Sequence, residues 1–293
     1  MRHWIAAAAI VLAAPVLAQQ DFSQVEITTT KVADGIYMLQ GSGGNIGVSV
    51  GEDGVFMIDD QYAPLTEKIL AAVAELSNQP VRFVINTHWH FDHTGGNENL
   101  GKEGTVIVAH DNVYQRMSTE QVMERFNRTV PPSPRDALPV VTFTDRVTLR
   151  LNGDHAHIIH SPRGHTDGDA FVHFEKANVI HMGDLFFHKM YPFIDLGSGG
   201  NANGVIAAVD KALTLADAET QVIPGHGPLT DRDGLQGYRD MLVTIRDRVK
   251  EMKSAGKSLE EVVAAKPSAE WDDEIGNGFI NPAALAEFFY QSL

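Results

Sequence analysis

Short apolar runs broken by Gly, Asn and Asp turns fill the first part of the chain, and apolar positions at helical spacing close it. Residues 25–30 and 35–39 read as strands, followed by the flexible turn Gly41-Ser42-Gly43-Gly44-Asn45. Residues 46–50 and 55–58 form the arms of a hairpin around Gly51-Glu52-Asp53-Gly54. Pro64 can open a helix, because Leu65, Ile69, Ala72, Val73 and Leu76 recur on one face until Ser77-Asn78. Residues 81–86, rich in β-branched and aromatic side chains and bounded by Gln79-Pro80, predict a buried strand ending near Thr87. A second strand and helix pair follows, with a strand at 105–109 and a mostly helical stretch at 111–128.

Four prolines between residues 130 and 139 exclude both helix and regular strand, so this segment is expected to be a surface loop joining two halves. Strand patterns resume at 140–143, 147–151, 155–160, 170–174 and 178–182. Asn203 is placed to cap a helix over 204–216, and further helices are expected at 235–255, 259–264 and 281–293. Each half thus runs from strands to helices, with no strict repeat and no linker between separate domains.

Residues 1–18 change the length to be folded. Arg2 makes a basic start, residues 4–14 form an apolar stretch too short to span a bilayer comfortably, and Val16-Leu17-Ala18 supplies small residues for cleavage. The expectation is a signal peptide over 1–18 and one domain over 19–293, with C-terminal helices from about residue 235. The mature chain would then be periplasmic or secreted, without stable membrane insertion. Losing Arg2 leaves 22 basic against 38 acidic residues, and no basic run stands out, so a nucleic-acid partner is not expected. The chain has no cysteine, which excludes thiolate ligands and a cysteine nucleophile.

The chemistry concentrates in His88-Trp89-His90-Phe91-Asp92-His93. The run begins as a strand ends, and Thr94-Gly95-Gly96-Asn97 lets the chain turn tightly into a short helix. His88 and His90, at i and i+2, can grip one ion, while Asp92 and His93 face a second. Later, His165 sits in a Gly-containing turn, Asp184 follows an apolar run through Gly183, and His226 follows Val222-Ile223-Pro224-Gly225. Five histidines and two aspartates make seven ligands, enough for two borderline metal ions with open positions if one carboxylate bridges.

These motifs, H-x-H-x-D-H at 88–93 with Gly164-His165-Thr166-Asp167-Gly168-Asp169, Gly183-Asp184 and Pro224-Gly225-His226-Gly227, resemble the metallo-β-lactamase superfamily in order from about Thr30 to Thr230. The resemblance implies an α/β (α+β) fold, a four-layer αββα sandwich of two similar halves, with two Zn2+ per chain at one edge. It implies that His88, His90 and His165 hold one ion, that Asp92, His93 and His226 hold the other, and that Asp184 bridges. Asp59 matches the aspartate that orients metal-binding residues from behind. The implied activity is hydrolysis of a small-molecule carbonyl compound by water activated between the ions, with Asp92 orienting the water or moving its proton.

Exported zinc β-lactamases resemble residues 143–230 most, but they carry a thiolate where this chain has Asp184, and a lysine three positions later where it has Phe187. Those two departures count against capture of a drug's carboxylate as in those enzymes, and on the overall resemblance a β-lactam-like cyclic amide or ester stands as the first expectation. A lactonase or other ester hydrolase, or a thioester hydrolase of glyoxalase II type, is the alternative. An iron-bound oxidoreductase and a non-catalytic zinc-binding protein complete the readings. Trp89, Phe91, His188, Lys189 and Tyr191 are candidates for substrate contact. Asp154-His155-Ala156-His157 sets both imidazoles on one strand face, which could bind another ion but is read first as a solvated sheet surface. Nothing in the sequence specifies an oligomer.

Overall fold

The computed structural model describes residues 21–293; the expected leader lies outside the described residues. The chain starts with four antiparallel strands, β1 (Thr28–Ala33), β2 (Ile36–Gln40), β3 (Ile46–Gly51) and β4 (Gly54–Ile58). It continues through α1 (Thr66–Ala74), β5 (Val81–Ile85), α2 (Phe91–Thr94), α3 (Asn97–Lys102), β6 (Val106–His110), α4 (Asp111–Met117), β7 (Gln121–Met123), β8 (Arg128–Val130) and β9 (Val141–Phe143). The second half holds β10 (Arg146–Leu151), β11 (Asp154–His160), β12 (Ala170–Phe174), β13 (Val179–His181), α5 (Ala202–Leu213), β14 (Gln221–Ile223) and β15 (Thr230–Asp231). The helices α6 (Arg232–Ser254), α7 (Leu259–Ala264), α8 (Ala269–Ile275) and α9 (Pro282–Ser292) close it.

Two large sheets result among the described residues, ordered β1-β2-β3-β4-β5-β6-β9 and β10-β11-β12-β13-β14-β15, beside a two-stranded one of β7 and β8. Alternation along the strands assigns the layers. On β4, Phe56 and Ile58 face the second sheet and meet Ile158, Val172 and Phe174. Val55 and Met57 face the other way, onto Leu65, Ile69 and Val73 of the helical layer. Ile159, Phe171 and Ile180 on the far face of the second sheet pack under α5, α6 and α9. The order is helix, sheet, sheet, helix. Strands buried on both faces explain why their sequences read as unbroken apolar runs.

The parallel pairs β4-β5-β6 and β13-β14 bring strand C-terminal ends to one edge, where ligands of α/β sheets are commonly held. Direct backbone bonds lock the sheets together there: Ala170 N–H donates to Thr87 O at 2.8 Å, and Asn45 N–H to Gly225 O at 2.7 Å.

Two expectations are corrected. The helical stretch over 111–128 stops at Met117, with Ser118 as its C-cap and the Ser118 and Thr119 hydroxyls donating to Gln115 O, one of the carbonyls left open in the last turn. Val122 and Thr129 then pair across a separate β7-β8 hairpin. The proline-rich segment does not join the halves either. Its middle turns against α3, with Ala137 O accepting from Asn97 Nδ2, and it leads to β9 of the first sheet. The halves meet after Phe143. α8 is a helix the periodicity did not signal.

Candidate metal centre

Every ligand named above stands at the shared edge. His88 and His90 follow β5, His165 follows β11, Asp184 lies in a turn after β13, and His226 follows β14. His88 Nε2 lies 3.2 Å from His90 Nδ1, and His165 Nε2 lies 2.9 Å from the same atom. These three nitrogens converge on one point. Beside it, His93 Nε2 and His226 Nε2 are 3.3 Å apart, and Asp92 Oδ2 is 3.4 Å from His226 Nε2.

Asp184 stands between the two groups. Its Oδ2 faces His165 Nε2 at 3.5 Å and His88 Nε2 at 3.8 Å, while its Oδ1 faces His93 Nε2 at 3.1 Å and His226 Nε2 at 3.4 Å. Buried Oδ1 nevertheless accepts no well-directed hydrogen bond. An unpartnered carboxylate oxygen in a buried site is costly unless a cation meets it. Close approach of backbone makes this pose feasible: a Cβ at Gly225 would strike Asp184 Oδ1, and one at Gly44 would strike the His93 ring.

The electrostatics fit the same occupant. Burial holds His88 well below the ordinary imidazole range and His165 down to about 4, leaving neutral rings with free lone pairs. Around the second group burial opposes charge too, but Asp184 and Asp92 outweigh it at His226, which rises to about 9. Burial likewise works against ionisation of Asp92, yet His93 and His226 hold it down at about 2. These acids thus favour positive charge between them, raising His93 as well as His226, and five imidazoles with two carboxylates form a donor set for borderline divalent metals.

Outer contacts aim the rings. Asp59, in left-handed backbone at φ 63°, accepts from Thr87 N–H with Oδ1 and from His93 Nδ1–H with Oδ2 at 2.7 Å. Asp195 does the same for His90, its Oδ2 lying 2.9 Å from Nε2. Phe193 O accepts from His165 Nδ1 at 2.8 Å. Such partners fix the tautomer that presents the opposite nitrogen. Asp195 went unassigned from sequence, since 105 positions separate it from His90.

Above the ligands opens a cavity of about 430 Å³ with mostly apolar walls, including Phe91, Phe126, Phe187, Tyr191, Phe193 and Phe279. Of the residues expected to contact substrate, Phe91 and Tyr191 are among those lining it, with Tyr191 almost fully buried and its hydroxyl donating to Asp272 Oδ1 at 2.8 Å. Trp89 is corrected: it is 4% exposed, packs with Val113, Met117 and Met123, and its indole N–H donates to Ser198 Oγ. His188 and Lys189 lie outside the lining, and His188 Nδ1 is bonded to Pro228 O instead. Arg128 was missed because it fell in the segment read as helix. It is the one Arg or Lys among the described lining residues, stacked over Phe91 at 4.4 Å.

A family model described as the metallo-beta-lactamase superfamily matches residues 39–226. The chain belongs to that superfamily. Within it, the chain is 26% identical to a metallo-beta-lactamase type 2 of Bacillus cereus, over 64% of this chain and 69% of the relative. It is 28% identical to a hydroxyacylglutathione hydrolase of Rhodospirillum rubrum, over 55% of this chain and only 54% of that one. Among solved structures, a stereoselective inverting sec-alkylsulfatase from a Pseudomonas species superposes with TM-score 0.70 at 15% identity, covering 90% of this chain and 50% of that chain. The DIM-1 metallo-beta-lactamase gives TM-score 0.61 at 19% identity, over 75% of this chain and 99% of its own. Members of the superfamily are mostly hydrolases, and the histidine clusters of this chain can hold metal.

Proposed function

We propose that the protein is an exported dizinc hydrolase acting on a carbonyl compound, a β-lactam-type amide or related cyclic amide or ester, with an apolar body and an anionic group. The observation that carries this reading is the pose of Asp184, with one oxygen toward each ligand group at the floor of an aromatic cavity. Two zinc ions, held by His88, His90 and His165 and by Asp92, His93 and His226 with Asp184 between, would supply Lewis acidity and acidify water from 15.7 to roughly 7.

The chain's own groups account for the remaining steps. Asp92 borders the cavity as a carboxylate, ready to orient an attacking water and carry its proton toward the leaving group. Aromatic walls exclude water and receive the apolar body. Arg128 can receive the anionic group with its fork of N–H donors. This answers the missing lysine of the zinc β-lactamases, since Phe187 stacks on the His226 ring instead, at 5.3 Å between centroids.

Lactone or acyclic ester hydrolysis is the second reading, favoured by a cavity whose walls offer few polar contacts beyond Arg128. A glutathione thioester has less support. Lys253 and Lys257 are engaged with Tyr290 and Glu261, away from the cavity lining. A panel of β-lactams, lactones and thioesters offered to the zinc-loaded protein tests the proposal. Turnover is expected for an anionic amide or ester, and inertness toward the entire panel would favour a non-catalytic zinc protein.

A further inference from the structure

We propose a second, peripheral metal site on the outer face of the β10-β11-β12 sheet, formed by His155, His157 and Glu175 and suited to a borderline divalent cation such as Zn2+. The alternation that placed both imidazoles on one strand face also places Glu175, just past β12, beside them. His155 Nδ1 lies 3.1 Å and His157 Nε2 2.9 Å from the same oxygen, Glu175 Oε2. Ligands about 2.05 Å from a tetrahedral ion stand roughly 3.3 Å apart, so the two His–Glu spacings already approach that of a coordination face, and one ligand atom from each of the three residues lies within 4.8 Å of the others.

Neighbouring contacts fix this face independently of any ion. Glu175 N–H donates to His155 O at 3.1 Å. The Asp154 carboxylate accepts from the backbone N–H groups of His155, Lys176 and Ala177, pinning the hairpin end from which both His155 and Glu175 project. Thr148 Oγ1, opposite on β10, lies 3.0 Å from His157 Nδ1. By accepting from Nδ1–H, it would present the Nε2 lone pair toward Glu175, an arrangement favourable only with a cation between them. The face is partly open, with His155 at 36% and Glu175 at 52% side-chain exposure, so water can complete the coordination sphere. Arg150 pairs in register with His155 and sets a charge of the wrong sign beside the site, so the affinity should be lower than at the buried cluster.

The site is distinct from the metal centre. It lies at the opposite end of β12 from Ala170, which touches the ligand edge through Thr87, about 17 Å away at roughly 3.3 Å per residue.

Zinc titration of the intact protein, read by equilibrium dialysis and elemental analysis, tests the proposal. His157→Ala and, separately, Glu175→Gln should each bind one ion fewer than the unaltered chain at saturation, with hydrolase activity unchanged. Thr148→Val, which keeps the volume, should weaken only that ion, by about 10-fold or more. Because the score is the difference between proteins, a failure of the dizinc reading leaves it intact. Equal zinc content in the unaltered chain and in both ligand variants, with unchanged melting temperatures, would overturn it.

Discussion

Asp59 and Arg128 show how differently single residues declare themselves. Asp59 closes an apolar run, and both of its oxygens are spent on Thr87 and His93. Asp59→Asn keeps the shape but exchanges one acceptor for a donor facing His93 Nδ1–H. Zinc affinity should drop by about 10–100-fold, measured by competition with a chromophoric chelator, while the melting temperature of the metal-free chain changes much less. Arg128→Ala should raise KM for an anionic substrate about 10-fold or more, through loss of charge-assisted hydrogen bonds, with little effect on a neutral analogue. Equal effects on both analogues would remove Arg128 from substrate binding. The seven candidate metal ligands were legible in sequence because four lie in one run and the others follow apolar strands. Asp195 and Phe279 were not, because only the fold brings them to the site.

At the scale of elements, periodicity succeeded where strands are buried and helices are amphipathic, and failed where local chemistry interrupts it. The 111–128 stretch has enough apolar residues for a helix, yet it ends at Met117 with the Ser118 and Thr119 hydroxyls closing its last turn on Gln115 O, and the β7-β8 hairpin beyond supplies Met123, Phe126 and Arg128 to the cavity wall. Boundaries shifted for similar reasons. α5 starts at Ala202 because Asn201, not Asn203, caps it, with Oδ1 accepting from Asn203 N–H. The same side chain donates to Ser292 O, tying α5 to α9. Asn201→Ala should therefore cost about 1 kcal/mol or somewhat more in urea unfolding, where loss of a simple cap sets the lower figure. An unchanged midpoint would show that neither bond matters.

For the whole molecule, the clamp between sheets carries a pH dependence that does not involve the metal ligands. His110, ending β6, and His160, ending β11, stack with ring centroids 3.6 Å apart and planes at 7°. Burial holds both below the ordinary value of 6.5, and at His160 the charge of His110 adds to it. The unfolded chain therefore binds protons more readily. Their contribution is complete above about pH 6.5 and is lost as pH falls toward the depressed values. Unfolding midpoints of the metal-free protein should drop between pH 7.5 and 5.5, and less steeply in His160→Gln. A parallel decline in both proteins would assign acid sensitivity to other groups.

The two halves followed from strand and helix patterns, and the two-layered sheet core from the resemblance to the superfamily. The place where the halves join did not, since the proline-rich segment that suggests a linker is held against α3 by Asn97. The central claim, two zinc ions serving hydrolysis at the shared edge, is tested most directly by elemental analysis of the purified protein paired with activity before and after chelation. Saturating zinc and then removing loosely held surface metal should leave two tightly bound zinc ions per chain, with hydrolysis lost to the chelator and restored by zinc. Stoichiometric iron in the purified protein, or turnover that survives complete metal removal, would contradict it.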